Sequence, residues 1–485
     1  MLLYLCQDGA GPSGVAAYGY AVLRHRADAR MLLLNATHPP PAAPAAVHER
    51  ITTLPEESSH DPSAVARVIA ELVAGGDDRV TLVPNTGDTP WAATLAFLRA
   101  APATVRSRVR VLGVVHSDME TQYGIAVHYQ PIAPIWIGVS RRCADELRKR
   151  LSRTSASVHE LHCPVEVRDE RSAPRGDGPL RVAYVGRLEE PQKRVSRLVD
   201  LFRELVRLGL DFQATVAGDG PAAPAFATAL NAAGPDVTAR VTLGGAVDRE
   251  HVDAIWRTHD VCLLVSAYEG LPLALLEAMA SGVCPVVMAV ESGLPDLLRD
   301  RRNARVVSQG DVGAMAEALC ALDRDRSRLE SLGRSARVSV TSGFSPDRHF
   351  ARLSAILDEC WAQPQPSPSV AIADPTANAI ANSVRRMHSV ARPVAVYGSG
   401  MFGRKVVDAC LAAGIPVCAL FDSDPARAGV VYRGLQCAPP EALSEYPDAL
   451  FVTGSLQFAD AMAERIRAEF AARGRPAPAV LNTTP

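Results

Sequence analysis

Short apolar runs, rich in Val, Leu and Ile, alternate along this chain with longer segments in which apolar residues recur at helical spacing. Segment 63–75, SAVARVIAELVAG, shows that spacing, because its apolar residues recur three and four positions apart. Such alternation is typical of βαβ units, in which parallel strands form a sheet covered by helices. In the first third of the chain the predicted strands are 2–7, 31–37, 79–85, 109–116 and 135–140.

The same alternation continues in two further series. The first of them ends in 345–362, where a Ser-Pro start and amphipathic spacing predict a capped helix. In that middle series the predicted strands are 181–186, 212–218, 240–245, 261–266, 285–290 and 304–307. The last series contains strand-forming segments at 394–403, 417–424 and 449–454.

Two polar segments, 168–178 and 363–369, separate the three series, and the second has three prolines in seven residues. The predicted fold class is α/β, with two Rossmann-like domains that face each other and a third at the C-terminus. The predicted ranges are 1–167 for the first domain, 179–345 for the second, 346–362 for the helix that ends the two-domain unit, 363–376 for a proline-rich linker and 377–485 for the third domain.

Composition and charge narrow the class of protein. A length of 485 residues predicts two or three domains, and a formal net charge of −2 argues against a dedicated nucleic-acid binder. The ten cysteines are spaced singly without Cys-x-x-Cys, which favours buried free thiols in a reducing compartment over disulfides or a metal site. No secretory signal or membrane-spanning run is recognisable, so a cytoplasmic location is expected.

The segment EGLPLALLE carries two glutamates, Glu269 and Glu277, beyond the strand predicted at 261–266. Ligands of open α/β sheets bind at the carboxyl ends of strands, where Glu269 is expected. Pro272 suits the first position of a helix, predicted over 272–282, whose N-terminal dipole favours an anion. The alternative is one turn residue and one ordinary helix residue, since Glu is a good helix former.

Neighbouring loops favour a ligand site over that alternative. Arg187 and Lys193 follow the first strand of the second domain, and glycine-rich turns follow the next two strands at Gly218 and at 243–247. All these loops belong to one edge of a parallel sheet. Two cations suit a diphosphate, and carboxylates accept hydrogen bonds from sugar hydroxyls. A nucleotide-diphosphate sugar combines both chemical groups.

These motifs resemble those of the retaining glycosyltransferases of family 4, which have the two-domain GT-B fold. EGLPLALLE is similar to the Glu-x7-Glu motif of that family, and GRL…QKR to its phosphate-binding motif. The resemblance covers about residues 1–362 and is strongest over 180–345. Two features depart from the family pattern: Lys193 lies one residue further from Arg187 than in many members, and LHCPVEV (161–167) replaces an Asn-Gly-Val turn.

The resemblance implies a role for each matching residue of the second domain. Arg187 and Lys193 would neutralise the donor diphosphate and stabilise the departing nucleoside diphosphate. Glu269 would bind donor-sugar hydroxyls beside the backbone of Gly270 and Leu271, and Glu277 would bind the ribose. The turn at Gly218 belongs to the same donor site.

In the first domain, which would face the acceptor, the resemblance concerns GAGPSG (9–14) and VLGVVH (111–116). Gly11 and Gly14 would approach the donor phosphates, although an ordinary strand-to-helix turn is the alternative. His116 matches the active-site histidine near the transferred sugar. Enzymes of this type use a donor phosphate oxygen rather than this histidine to accept the acceptor's proton.

The resemblance therefore implies a hexosyltransferase-type enzyme that uses a UDP-, GDP- or ADP-linked sugar and requires no cofactor for transfer. The expected acceptor is a glycan or glycolipid, in the assembly of a surface polysaccharide. The basic stretch 141–153 suggests a peripheral contact with the inner face of a membrane, or else a solvated helix face. A non-catalytic GT-B scaffold is an alternative function.

The C-terminal series contains Gly398, Gly400 and Gly403 in the pattern Gly-x-Gly-x-x-Gly, and Asp422 ends the next strand. This spacing is typical of a dinucleotide-binding fold, with the glycines at the pyrophosphate and the acid on a ribose. The segment resembles NAD- or CoA-binding-like modules of polysaccharide-assembly enzymes. NAD(P) or another nucleotide, an NAD-dependent oxidoreductase activity, and a Rossmann fold without a ligand all remain open.

Overall fold

Three β-sheets organise the chain in the computed structural model, which divides into two compact units, Met1–Val370 and Ala371–Pro485. The residues that the structure describes are 1–7, 14–34, 45–59, 61–76, 78–85, 87–166, 178–190, 192–247, 249–290, 293–364, 392–412, 414–454 and 459–481. Most of the predicted linkers, 168–178 and 363–376, lie outside these ranges.

The first sheet has seven strands in the order β3-β2-β1-β4-β5-β6-β7, all of them parallel. Its central strands are buried along their whole length, as expected for a sheet covered on both faces. The strands are β1 (Leu2–Gln7), β2 (Ala29–Leu34), β3 (Ile51–Leu54), β4 (Val80–Pro84), β5 (Val109–Val115), β6 (Ile135–Gly138) and β7 (Ser157–Glu160). The two edge strands, β3 and β7, were not predicted, because they are only partly buried and lack a continuous apolar run.

The second sheet contains the six predicted strands of the middle series, again all parallel, in the order β10-β9-β8-β11-β12-β13. The strands are β8 (Leu180–Val185), β9 (Phe212–Ala217), β10 (Val241–Gly245), β11 (Val261–Leu264), β12 (Cys284–Met288) and β13 (Arg305–Val307). The α/β fold class predicted from the alternation is confirmed by these two parallel sheets.

Helices connect the strands of the first unit. They are α1 (Gly14–His25), α2 (Ala45–His48), α3 (Glu56–Ser59), α4 (Pro62–Ala74), α5 (Asp88–Ala100), α6 (Ala103–Arg106), α7 (Glu120–Tyr129), α8 (Arg141–Arg150), α9 (Ser196–Arg207), α10 (Ala223–Asn231), α11 (Pro235–Thr238), α12 (Arg249–Thr258), α13 (Leu273–Ala280), α14 (Leu294–Leu297), α15 (Val312–Arg324), α16 (Arg326–Gly343) and α17 (Pro346–Ala362).

Helix α17 follows the second sheet in the chain and contacts the first sheet. Its N-cap is Ser345, whose hydroxyl accepts from the backbone N–H of Arg348, and a proline follows at the first helical position, as predicted. Near its other end, Trp361 donates from Nε1 to the hydroxyl of Thr81 in β4 at 3.0 Å. The helix that follows the second sheet therefore packs on the first.

In both sheets the strand order reverses beside the first strand, because later strands lie on the opposite side of it. In the first sheet this point lies between β1 and β4, and in the second between β8 and β11. At such a point the two flanking loops diverge and leave a crevice at the carboxyl ends of the strands. The loops after β8 and β11 carry Arg187 and Glu269, so the topology brings the predicted motifs together.

The C-terminal unit has its own six-stranded sheet in the order β16-β17-β15-β14-β18-β19. Its strands are β14 (Val394–Tyr397), β15 (Val417–Phe421), β16 (Val431–Tyr432), β17 (Leu435–Ala438), β18 (Leu450–Thr453) and β19 (Val480–Leu481), with helices α18 (Met401–Ala412) and α19 (Ala459–Ala471) and 3-10 turns at Pro425–Arg427 and Pro440–Glu445. Only the pair β16–β17 is antiparallel among the described strands of this sheet.

The glycine turn between β14 and α18 packs backbone against backbone. A Cβ at Gly403 would lie 1.7 Å from the carbonyl oxygen of Gly398, which itself has a φ of +109°. A Cβ at Gly400 would meet only the guanidinium of Arg427, at 3.4 Å. Packing within the unit therefore accounts for the first and third glycines of the motif, with no ligand required.

We expect Gly403→Ala to destabilise the C-terminal unit by about 1–3 kcal/mol, because the added methyl group overpacks a backbone contact. Gly400→Ala is the matched control, since the flexible side chain of Arg427 can move aside. Hydrogen exchange of peptides from 394–412 measures the effect. Equal exchange rates in the two variants would contradict this explanation of the motif.

Candidate functional site

Glu269 lies in the loop after β11 and is almost fully buried, at 3% exposure. Its Oε1 accepts hydrogen bonds from Lys193 Nζ at 2.7 Å and from the Ser266 hydroxyl at 2.6 Å. Its Oε2 accepts from Gln192 Nε2 at 3.3 Å. A buried carboxylate is stable only when it is paired and hydrogen-bonded, and these three groups satisfy that requirement.

The loop after β8 is positioned by a close backbone contact with the turn after β9. Gly218 in that turn has a φ of +140°, and a Cβ on it would lie 1.9 Å from the carbonyl oxygen of Gly186. Leu188 donates its N–H to the carbonyl of Asp219 at 2.9 Å, and Tyr184 donates its hydroxyl to the carbonyl of Arg187 at 3.0 Å. The glycine-rich turn after β9 thus supports the loop that carries Arg187.

Arg187 is half exposed and forms an ion pair with Glu189, in which Arg187 Nη2 lies 2.9 Å from Glu189 Oε1. The same Nη2 donates to Gln192 Oε1 at 3.3 Å, so Gln192 bonds both this cation and Glu269. Both predicted cations therefore have carboxylate partners. An exposed ion pair contributes little free energy, so an anionic ligand can exchange with Glu189 for the guanidinium.

The turn between Lys193 and α9 is held by Glu190. Its carboxylate accepts from the Ser196 N–H at 2.8 Å and from the Ser196 hydroxyl at 2.9 Å. Arg194 within this turn has a φ of +51°, a left-handed conformation that costs a non-glycine residue about 1–2 kcal/mol. These contacts direct Lys193 toward Glu269.

Helix α13 begins one residue later than predicted. Pro272 is the residue before the first helical position, with a ψ of 112°, and the helix runs over Leu273–Ala280 rather than 272–282. Glu277 lies in its second turn, partly exposed, and lines a cleft together with Tyr18 and Arg24 of α1. Glu277 therefore faces the first half of the unit, whereas Glu269, eight residues earlier in the chain, bonds to Lys193.

His116 follows β5 and is 8% exposed. Its Nε2 lies 2.8 Å from Asn85 Oδ1, and its backbone N–H donates to Gln122 Oε1 at 2.8 Å. Burial lowers the pKa of the imidazole to about 4, so the ring is neutral at physiological pH. In this state the imidazole offers hydrogen bonds but carries no positive charge.

The two halves of the unit meet at the backbone of Gly270. A Cβ at this residue would lie 2.0 Å from the carbonyl oxygen of His116. The structure thus brings His116, from the first sheet, against the loop of Glu269, from the second. Leu271 follows and is buried.

Of the two glycines predicted at the donor phosphates, Gly14 begins α1 and is exposed, with no described atom within 4 Å of a Cβ built on it. Gly11 lies outside the described residues. Helix α1 lines the same cleft as Glu277, but with its middle and C-terminal residues rather than with Gly14.

Several contact residues were missed from the sequence. Gln192 lies within the quoted QKR segment and Ser266 lies three residues before EGLPLALLE, but nothing in their spacing marks them as partners of Glu269. Asn85 was included only as the end of a predicted strand. Its position at the carboxyl end of β4, next to β1 in the sheet, was the available signal.

The basic helix α8 is largely neutralised by ion pairs. Its pairs are Arg142 with Asp118, Arg148 with Asp145, Lys149 with Glu146, and Arg150 with Glu120 and Glu146. This pattern favours a solvated helix face over a lipid-binding one, and the peripheral membrane contact stays a prediction. No helix among the described residues is sufficiently long and apolar to cross a bilayer.

All ten cysteines are free thiols, and eight of them are buried, as the sequence predicted. In the described ranges, no cluster of three or more His, Cys, Asp and Glu side chains is arranged to hold a metal ion.

In the C-terminal unit, Asp422 bonds to the glycine turn itself. Its Oδ2 accepts from the Ser399 N–H at 2.6 Å and from the Ser399 hydroxyl at 2.7 Å. The carboxylate expected on a ribose therefore already has partners, and one N–H of the turn is satisfied by protein. These contacts do not favour NAD(P) binding or an oxidoreductase activity in this unit.

Comparisons with known proteins agree with the fold and with a glycosyltransferase domain around the second sheet. Residues 179–325 match the family model described as glycosyl transferases group 1, so the chain contains a group 1 glycosyltransferase domain. WcaL of Salmonella typhimurium, a candidate glycosyltransferase of colanic acid biosynthesis, is 27% identical over 300 residues, 55% of this chain and 71% of WcaL. AmsK of Erwinia amylovora, an amylovoran biosynthesis glycosyltransferase, is 31% identical over 186 residues, 37% of this chain and 45% of AmsK.

Among solved structures, HepE from Anabaena in complex with UDP and glucose has a TM-score of 0.59 at 15% identity. The match covers 74% of this chain and 99% of HepE. At this identity the likeness shows the fold alone, and it confirms the predicted GT-B architecture.

We expect Lys193→Ala to lower the free energy of unfolding by about 3 kcal/mol, because it leaves the carboxylate of Glu269 buried without a cation. Adding Glu269→Gln should recover part of the loss, since the charge is then absent; a double-mutant cycle from chemical denaturation measures this coupling. The control is Arg203→Ala, which breaks an exposed pair with Asp200 and should cost less than about 1 kcal/mol. Equal losses for the lysine and arginine variants would contradict the assignment.

Proposed function

We propose that this protein is a retaining glycosyltransferase that moves a hexose-type sugar from a nucleotide-diphosphate sugar to a glycan or glycolipid acceptor. The observation that carries the proposal is the contact of Gly270 with His116, which gathers the cluster of Glu269, Lys193 and Arg187 and a neutral histidine at one crevice. The group 1 glycosyltransferase domain over 179–325 supports the same activity.

Each end of the donor then has a partner of suitable chemistry. Arg187 and Lys193 bind the diphosphate and stabilise the charge that develops on the leaving nucleoside diphosphate. Glu277, in the cleft beside α1, accepts hydrogen bonds from the ribose hydroxyls. Gly11, Gly14 and the turn at Gly218 allow backbone to approach the donor.

Glu269 contacts the transferred sugar in this proposal, with the backbone of Gly270 and Leu271 beside it. Its carboxylate already accepts from Ser266, Gln192 and Lys193. Lys193 therefore has two tasks: it compensates Glu269 in the free protein and binds phosphate oxygen in the complex. Because an ammonium group has three N–H donors, the two contacts can coexist.

Proton transfer does not require His116. Its pKa of about 4 makes the imidazole a weak base, so the acceptor hydroxyl gives its proton to an oxygen of the departing phosphate. The sugar is then transferred on the face from which the leaving group departs, with retention of configuration. No cofactor takes part in this step.

Polysaccharide assembly is the biological setting that we propose, because WcaL and AmsK are named for colanic acid and amylovoran biosynthesis. UDP-sugars are the first donors to examine, since the HepE complex contains UDP. GDP- and ADP-sugars are the alternatives.

A thermal-shift panel of UDP-, GDP-, ADP- and dTDP-sugars should identify one stabilising donor. At a ligand concentration of 100 times its Kd, the folded state gains about 2.7 kcal/mol. Glu277→Ala and Arg187→Ala should each abolish the shift, because they remove the ribose and diphosphate contacts. Glu330→Ala, a partly exposed helical glutamate of α16, is the matched control and should retain it. The absence of a shift from every nucleotide-sugar would overturn the proposal.

Retention is tested separately by the anomeric configuration of the product. With the donor identified by the panel and a glycan acceptor that supports turnover, the one-bond C1–H1 coupling in the NMR spectrum should show the same anomer in donor and product. An inverted product would refute the retaining mechanism while leaving glycosyl transfer itself intact.

A further inference from the structure

The ring of His116 is hydrogen-bonded to the side chain of Asn85, the residue that follows β4. The distance from His116 Nε2 to Asn85 Oδ1 is 2.8 Å, and Asn85 is completely buried. A hydrogen bond of this length between buried groups restricts both the rotation of the imidazole and the position of its proton.

The orientation of the Asn85 amide follows from its other neighbours. Its Nδ2 lies 3.5 Å from the carbonyl oxygen of Val83 and 3.6 Å from Cys6 Sγ. A carbonyl oxygen can only accept, so the NH2 group belongs on that side and Oδ1 faces His116. Oδ1 is likewise only an acceptor, and Nε2 must therefore donate and carry the proton.

The surroundings of His116 keep the imidazole neutral. Among the described groups, Tyr18 from α1 and Asn85 after β4 contact the imidazole, whereas Gln122 from α7 and Gly270 from the loop after β11 contact the backbone of His116. Only Tyr18 is titratable among these groups, and burial raises its pKa. A neutral ring with its proton on Nε2 has a free lone pair on Nδ1.

We infer that Asn85 is a positioning residue, which fixes the Nε2–H tautomer of His116 so that Nδ1 accepts a hydrogen bond from a hydroxyl of the transferred sugar. This inference rests on the proposed function and adds a specificity element to it. A donor sugar with a hydroxyl next to Nδ1 donates a hydrogen bond to this nitrogen. A sugar that lacks this hydroxyl leaves Nδ1 without a hydrogen-bond donor.

Nitrogen-15 NMR of the full chain, labelled at histidine, reports the tautomer without any activity measurement. The resonances of His116 are assigned by their loss in His116→Gln. In the native chain we expect a protonated Nε2 and a bare Nδ1, unchanged between about pH 6 and 8. A protonated Nδ1 in the native chain would overturn the inference.

Asn85→Asp should keep a proton on Nε2, because an ionised carboxylate accepts from Nε2–H as the amide oxygen does, and it should raise the pKa of the ring by favouring the imidazolium. Asn85→Leu removes the acceptor and should give a mixture of tautomers. If Asn85→Leu kept the native tautomer and the native donor affinity, Asn85 would have no positioning role.

Asn303→Asp is the matched control, because Asn303 is also buried, at 6% exposure, and bonds to Ser339 and to the carbonyl of Leu297. It makes the same chemical change without touching the His116 ring. The resonances of His116 should be unaffected in this variant.

The ligand contact is tested with the nucleotide-sugar that stabilises the protein most in the panel, compared with its nucleoside diphosphate. Asn85→Leu should weaken the nucleotide-sugar severalfold, by no more than about the tenfold effect of one hydrogen bond, and leave the Kd of the nucleoside diphosphate unchanged. An equal loss for both ligands would indicate a merely structural role. If no nucleotide-sugar or diphosphate bound, the proposed function and the hydroxyl contact would both fail, whereas the tautomer would still decide the role of Asn85.

Discussion

The site depends on a close contact between two backbones, at Gly270 and the carbonyl of His116. Any side chain at Gly270 would separate the loop of Glu269 from the first sheet. Gly293, in the next loop, has the same constraint, because a Cβ there would lie 2.9 Å from the carbonyl oxygen of Gly270 and 2.6 Å from the Ser140 Cβ. Two glycines therefore allow four loops, those after β5, β6, β11 and β12, to approach one another closely.

Electrostatic balance is the second constraint on this crevice. Lys193 pairs with the buried Glu269, and Arg187 pairs with the more exposed Glu189. The first pair compensates a buried charge, and losing its lysine is expected to be costly. The second pair can exchange its carboxylate for a phosphate at small cost. The two cations, equivalent in the sequence, are thus distinguished by the burial of their partners.

Strand prediction succeeded where strands are buried on both faces, because a continuous apolar run then records the environment. It failed at the edge strands β3 and β7, whose half-buried residues carry no such run. The start of α13 was displaced by one residue, since proline suits both positions at a helix N-terminus. The contact of Asn85 with His116 could not be predicted for another reason. The two residues are 31 positions apart in the chain, and the parallel pairing of β4 with β5 brings them together.

The sequence alone determined the α/β class and the parallel sheets, because periodicity and residue type record local structure and burial; the role of the four charged motif residues stays a prediction. It could not determine which charged groups pair with one another or which nitrogen of His116 carries a proton. Those properties depend on distances between loops of different strands, and a distance of one hydrogen bond is set by the packing of the whole unit. Tertiary structure alone distinguishes the buried pair, Lys193 with Glu269, from the exchangeable one, Arg187 with Glu189.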